Sequence, residues 1–193
     1  MHRICVFCGS SSGFQSAYRE AAEELGRLLA ERRIELVYGG AKVGLMGALA
    51  DAVLASGGRA IGIIPRHLEA REVAHRGLTE LRVVDTMHQR KALMADLSDA
   101  FIGMPGGLGT LEECFEVATW TQLGIHAKPL GLLNVRGYFD LLDQFLSRAV
   151  TEGFLRAEHR GSIAFSDQPA ALVSALETFR PPDTAKWLDP SER

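Results

Sequence analysis

No stretch of this sequence approaches the roughly 20 consecutive apolar residues that a membrane-spanning helix needs. The first residues, MHRICVFCGSSS, run straight into a strand pattern, with no separate apolar signal core or cleavage site. The expected location is the cytoplasm, with no membrane partner. Excess positive charge is also missing: 21 Lys and Arg against 24 Asp and Glu leave a formal net charge of −3. The broad basic field that nucleic-acid binding generally uses is therefore absent, so any anion must be gripped locally and nucleic acid is not an expected partner. Cysteine is scarce and odd in number, at Cys5, Cys8 and Cys114, which argues against a disulfide framework. Cys5-Val-Phe-Cys8 has redox or zinc spacing, but residues three apart in a strand face opposite sides. With no second Cys or His pair at ligand spacing, two small buried thiols are expected and no metal site.

What is present is the mixture of a globular protein, 47% hydrophobic and 23% charged over 193 residues, a length that suits one core. Short apolar runs bounded by Gly or Pro alternate with longer amphipathic stretches. Strands are expected at 4–8, 35–38, 60–64, 81–84, 100–104, 130–133 and 163–165, and helices at 17–30, 45–55, 87–97, 110–123, 139–151 and 169–178. Residues 65–79 form a variable segment. Strands that are apolar throughout, separated by helices, imply a parallel sheet covered on both faces. The expected fold is α/β, a Rossmann-like doubly wound sheet in a single domain over 1–180, with a charged, Pro-containing surface tail at 181–193.

Ligands of such sheets bind outside the carboxyl ends of the strands. Glycines cluster there: Gly9 and Gly13 after the first strand, Gly39 and Gly40 after the second, and Gly106, Gly107 and Gly109 after the strand at 100–104. In Met104-Pro105-Gly106-Gly107-Leu108-Gly109-Thr110, glycines let backbone N–H groups approach an anion, and the dipole of the following helix favours negative charge. Thr110-x-x-Glu113 also matches a capping box, so a plain tight turn remains open. Glu112 stands where a dinucleotide fingerprint has its third glycine, and no Gly-Lys-Ser/Thr follows for a triphosphate loop. Glu112, Glu113 and Glu116 are unusual company for a bound phosphate unless cations offset the repulsion. Arg90 and Lys91, in Met87-His88-Gln89-Arg90-Lys91 at a predicted helix start, are the candidates.

Pro105-Gly106-Gly107-x-Gly109-Thr110-x-x-Glu113, preceded by Met87-His88-x-Arg90-Lys91, closely resembles the LONELY GUY family of cytokinin riboside 5′-monophosphate phosphoribohydrolases, often labelled lysine decarboxylases. The likeness extends through Cys8-Gly9-Ser10-Ser11, Val37-Tyr38-Gly39-Gly40, Gly44-Leu45-Met46-Gly47, Glu72-Val-Ala-His75 and Thr119-Trp120-x-Gln122-Leu123-Gly124. The resemblance implies hydrolysis, without metal or organic cofactor, of the N-glycosidic bond of adenosine 5′-monophosphate or an N6-substituted analogue. It also implies a homodimer. Carried over residue by residue, it makes Arg90 and Glu113 the catalytic pair, sets Gly107, Leu108, Gly109 and Thr110 around the phosphate, and puts Lys91 and Glu72 against substrate. Gly106 and Glu112 of the turn, with Gly9, Ser10 and Gly40 at the first two strand ends, complete the expected binding set.

Those residue types suit the reaction. Breaking the bond builds positive charge on the ribose, which a carboxylate such as Glu113 stabilises while orienting or deprotonating water. Arg90, always charged, is assigned to positioning. A non-catalytic nucleotide sensor or carrier and an NAD(P)-linked oxidoreductase remain as alternatives, and a pyridoxal-phosphate decarboxylase lacks a recognisable Schiff-base lysine. The predicted helix at 110–123 has two apolar faces, Leu111, Cys114, Phe115 and Ala118 on one and Val117, Trp120 and Thr121 on the other. Either a second copy or the helix at 139–151 must cover the latter.

Overall fold

Alternation along the first strand sets the architecture. Ile4, Val6 and Cys8 enter one hydrophobic cluster while Cys5 and Phe7 enter another, so consecutive side chains feed cores on opposite faces of one sheet. The two cysteines of the C-x-x-C spacing thus point apart, and all three cysteines are buried and free. The computed structural model describes residues 1–69 and 73–181. Glu72 and the tail from 182 onward, both singled out from the sequence, lie outside the described residues.

Seven strands form the sheet: β1 (Arg3–Phe7), β2 (Glu35–Tyr38), β3 (Ala60–Pro65), β4 (Glu80–Val84), β5 (Ala100–Gly103), β6 (Leu130–Leu133) and β7 (Ile163–Ser166). The order is β4-β3-β2-β1-β5-β6-β7, and every pairing is parallel. The helices are α1 (Ser16–Glu31), α2 (Gly44–Ala55), α3 (Arg66–Glu69), α4 (Met87–Leu97), α5 (Leu108–Gln122), α6 (Asp140–Thr151), α7 (Ala157–Gly161) and α8 (Pro169–Glu177). α1, α2 and α8 bury Leu25, Leu49 and Leu172 on one face; α4, α5 and α6 bury Met94, Val117 and Leu146 on the other. The doubly wound, Rossmann-like expectation is met. The two short helices were not expected: α3 opens the variable segment, and α7 lies just before β7.

Chain direction across the sheet reverses at β1. From β1 the chain steps outward through β2 and β3 to β4, then returns to lay β5 on the other side of β1, with Phe7 opposite Gly103. Loops leaving β1 and β5 consequently part in opposite directions and leave a crevice at their carboxyl ends, where doubly wound sheets bind ligands.

Candidate active site

Three loops meet at that crevice and are stitched by backbone. Gly9 N–H donates to Pro105 O at 3.1 Å, Leu45 N–H donates to Gly9 O at 3.1 Å, and Met104 N–H donates to Phe7 O at 2.8 Å. A Cβ on Gly9 would stand 3.0 Å from Ser11 O and 3.3 Å from the Gly106 Cα, so the turns after β1 and β5 pack against each other through glycine alone.

The turn after β5 does not form the capping box that Thr110-x-x-Glu113 left open as the alternative. α5 starts at Leu108 with Gly107 as its N-cap, in extended geometry (φ −93°, ψ −155°) and with no side-chain cap. Thr110 is inside the helix and buried, and a Cβ on Gly106 would overlap its Oγ1. The physical reason is room: with glycine at 106 the helix can begin two residues earlier and tuck the threonine beneath the turn. The consequence is chemical. Among the described residues, the N–H groups of Gly107, Leu108, Gly109 and Thr110 have no protein acceptor, so the positive end of α5 is open.

Arg90 reaches this end from α4. Its Nε donates to Ile63 O at 3.2 Å, and its guanidinium lies so close over Gly39 that a Cβ there would collide with it. Arg90 Nη1 stands 3.5 Å from Glu113 Oε1, with both side chains only 12% exposed. Burial pushes the Glu113 carboxyl above its ordinary value; Arg90 opposes that, Glu112 and Glu116 add to it, and Lys91 opposes it. Lys91 Nζ sits between Glu112 Oε1 at 2.5 Å and Glu116 Oε1 at 3.0 Å. Burial alone would lower the Lys91 pKa, but the two carboxylates outweigh it and raise it.

A cavity of about 390 Å³ joins these parts, within the range of small-molecule sites. Gly9, Ser10, Gly107, Leu108, Gly109 and Thr110 line it, with Arg90 and Glu113 facing the same space. Its remaining wall is apolar and includes Ala41, Met46, Ile64, Leu68 and Val73. The structure therefore brings together most of the expected residues. Lys91 and Glu112 pair with each other and are not among the residues that line the cavity. Gly106 lines a neighbouring cleft. Gly40 (φ 76°) accepts from His75 N–H at 2.8 Å and so ties residues 73–75 to the end of β2. Gly39 was noted only as part of a glycine pair, and nothing local in the sequence shows that Arg90 would lie across it. Among the described residues no group of three or more His, Cys, Asp or Glu is arranged to hold a metal.

Similarity to known proteins gives the family of the chain. A family model described as "possible lysine decarboxylase" matches residues 46–176. A probable cytokinin riboside 5′-monophosphate phosphoribohydrolase of Oryza sativa subsp. japonica is 52% identical over 179 residues, 93% of this chain and 79% of the relative. A cytokinin riboside 5′-monophosphate phosphoribohydrolase of Arabidopsis thaliana is 53% identical over the same share of this chain and 82% of its own. Solved structures share the fold at lower identity. A structural-genomics target has TM-score 0.74 at 22% identity, covering 93% of this chain and 100% of that one. The molybdenum cofactor carrier protein of Chlamydomonas reinhardtii has TM-score 0.69 at 18% identity, covering 91% and 96%. On the family model and on identity to these relatives across nearly its whole length, the chain belongs to the family of the cytokinin riboside 5′-monophosphate phosphoribohydrolases.

Proposed function

We propose that the protein hydrolyses the N-glycosidic bond of adenosine 5′-monophosphate or an N6-substituted analogue, releasing the free base and ribose 5-phosphate. One observation carries the reading: four residues whose backbone N–H groups have no acceptor among the described residues line the same cavity that a buried Arg–Glu pair faces. A phosphate monoester supplies acceptors for those donors. The ribose then lies beside Glu113, whose carboxylate opposes the positive charge developing at C1′ and holds or deprotonates the attacking water. Arg90 keeps that carboxylate in place and ionised. Gly9 and Ser10 bound the site from β1, and Gly40 and Gly106 hold the adjoining backbone. Lys91 and Glu112 act on the substrate through the field around Glu113, and Glu72, next in sequence to the cavity-lining Val73, is a further contact. The apolar wall formed by Met46, Ile64, Leu68 and Val73 suits a base carrying an N6 hydrocarbon substituent.

A homodimer in the cytoplasm belongs to the same reading. Val117 and Thr121 are buried and the partly buried Trp120 packs against the core, so most of the second face of α5 is covered within one chain. The uncovered stripe is instead Leu108, Phe115 and Leu123, 87%, 38% and 46% exposed, which supports a contact with another copy. Among the described residues no helix is long and apolar enough to cross a membrane. Light scattering is expected to give a mass of two chains.

Chromatography of reactions with adenosine 5′-monophosphate and adenosine tests the activity. Free adenine is expected from the monophosphate and far less from the nucleoside. Equal cleavage of both removes the phosphate anchor, and binding without release of base makes the protein a carrier.

A further inference from the structure

The glycine turn is touched from its far side by a residue that the sequence reading did not single out. After β6 the chain passes through a single 3-10 turn, Val135–Gly137, in which Arg136 (φ 54°) and Gly137 (φ 72°) both take left-handed backbone. Such a conformation is unfavourable for a side chain like arginine and persists where surrounding contacts impose it. Here Asn134 imposes it: its N–H donates to Ser166 O at 2.8 Å, its Oδ1 accepts from Phe139 N–H at 2.7 Å, and its Nδ2 donates to Asp140 Oδ1 at 2.7 Å. The product of this turn is the placement of Tyr138. Its ring is held edge-on by Tyr18 (5.8 Å, 81°) and Phe139 (5.0 Å, 90°), and its hydroxyl donates to Gly106 O at 2.6 Å.

That one hydrogen bond sets a peptide plane. In a trans peptide the C=O and the next N–H point in opposite directions. With Gly106 O turned toward Tyr138, the Gly107 N–H is turned away from it, and of the two clefts that Gly107 lines, the one without Tyr138 is the cavity that Arg90 and Glu113 face. Among the described residues this peptide makes no other hydrogen bond, so with glycine on both sides the Tyr138 hydroxyl is the group that fixes its plane. Rotation would aim a carbonyl oxygen at the anion in place of a donor.

We propose that Tyr138 is a positioning residue for the phosphate grip, locking the Gly106–Gly107 peptide with its N–H toward the cavity. This rests on the phosphate reading of the site. Tyr138→Phe removes the hydroxyl and keeps the ring contacts, so the fold is retained. The dissociation constant for inorganic phosphate, measured by calorimetry, and the KM for adenosine 5′-monophosphate should both rise about tenfold. The kcat should change less than about threefold, and the slow cleavage of adenosine should be unaltered. An unchanged phosphate dissociation constant in the variant overturns the proposal. So does an equal loss on nucleoside and nucleotide, which is the mark of general damage. Phosphate that binds without turnover of the nucleotide refutes the hydrolase reading alone, because the affinity comparison still decides the role of Tyr138. Phosphate that binds neither protein defeats both.

Discussion

The two helices that build the site begin in opposite ways. α4 starts with Thr86, whose hydroxyl accepts from Gln89 N–H at 3.1 Å, while Gln89 Oε1 accepts from Thr86 N–H at 3.2 Å and Asp85 N–H at 2.9 Å. That is a complete capping box, and it satisfies the Gln89 N–H, together with the N–H groups of Thr86 and Asp85 just before α4, from within the protein. α5 starts with Gly107 and has no cap at all. A capping side chain is worth about 1 kcal/mol, so its absence leaves α5 with an unmet demand for acceptors. A phosphate meets that demand. The same elementary requirement therefore serves stability at one helix and recognition at the other.

Substitutions can separate these two roles. The largest effect is expected at the acid carried in the first turns of α5. Glu113→Gln should lower kcat by about 10²-fold or more with the fold intact; near-normal turnover would remove Glu113 from the mechanism. Closing the open end comes next. Gly107→Asp supplies a carboxylate that accepts from the free donors and repels the ligand, so the KM for adenosine 5′-monophosphate should rise about 10-fold to 100-fold. The melting temperature should hold or increase, whereas a cap that leaves KM unchanged would mean that the end of α5 binds nothing.

The pH dependence gives a smaller effect with a definite sign. Burial raises the Glu113 pKa, so its carboxylate is lost at a higher pH than is usual for the group. If the ionised form is the working one, kcat/KM should fall on the acid side at a pH above the ordinary value of about 4.3. Lys91 favours the ionised form, so Lys91→Met should move that limb further toward neutral. A limb that stays in place or moves down would contradict the assignment. The smallest effect belongs to α4: Thr86→Ala should cost about 1 kcal/mol in denaturant unfolding and leave KM within about twofold, because that cap faces no ligand.

The contrast between the helices also marks what the sequence makes legible. Strands 35–38 and 130–133 and the helix at 87–97 are found with the expected ends, because apolar runs and their Gly, Pro and Ser boundaries are local signals. The start of α5 is local too, yet it was misplaced: Thr110-x-x-Glu113 has the letters of a cap, but the glycines before it let the helix begin earlier. The glycine turn and the Arg90–Glu113 pair were legible as residue types. The directions of the side chains were not. Lys91 turns to Glu112 and Glu116 and away from the cavity, Arg90 lies over Gly39, and Tyr138 meets Gly106 from 32 positions along the chain. Each depends on packing between distant segments, which spacing along one segment does not encode.

The most direct test of the account is an amide NMR titration with ribose 5-phosphate. The N–H resonances of Gly107, Leu108, Gly109 and Thr110 should shift with saturating dependence on ligand, while that of Gln89, held by the cap of α4, stays nearly still. Equal or absent shifts at the two helix starts would contradict the claim that the uncapped end of α5 is the phosphate site.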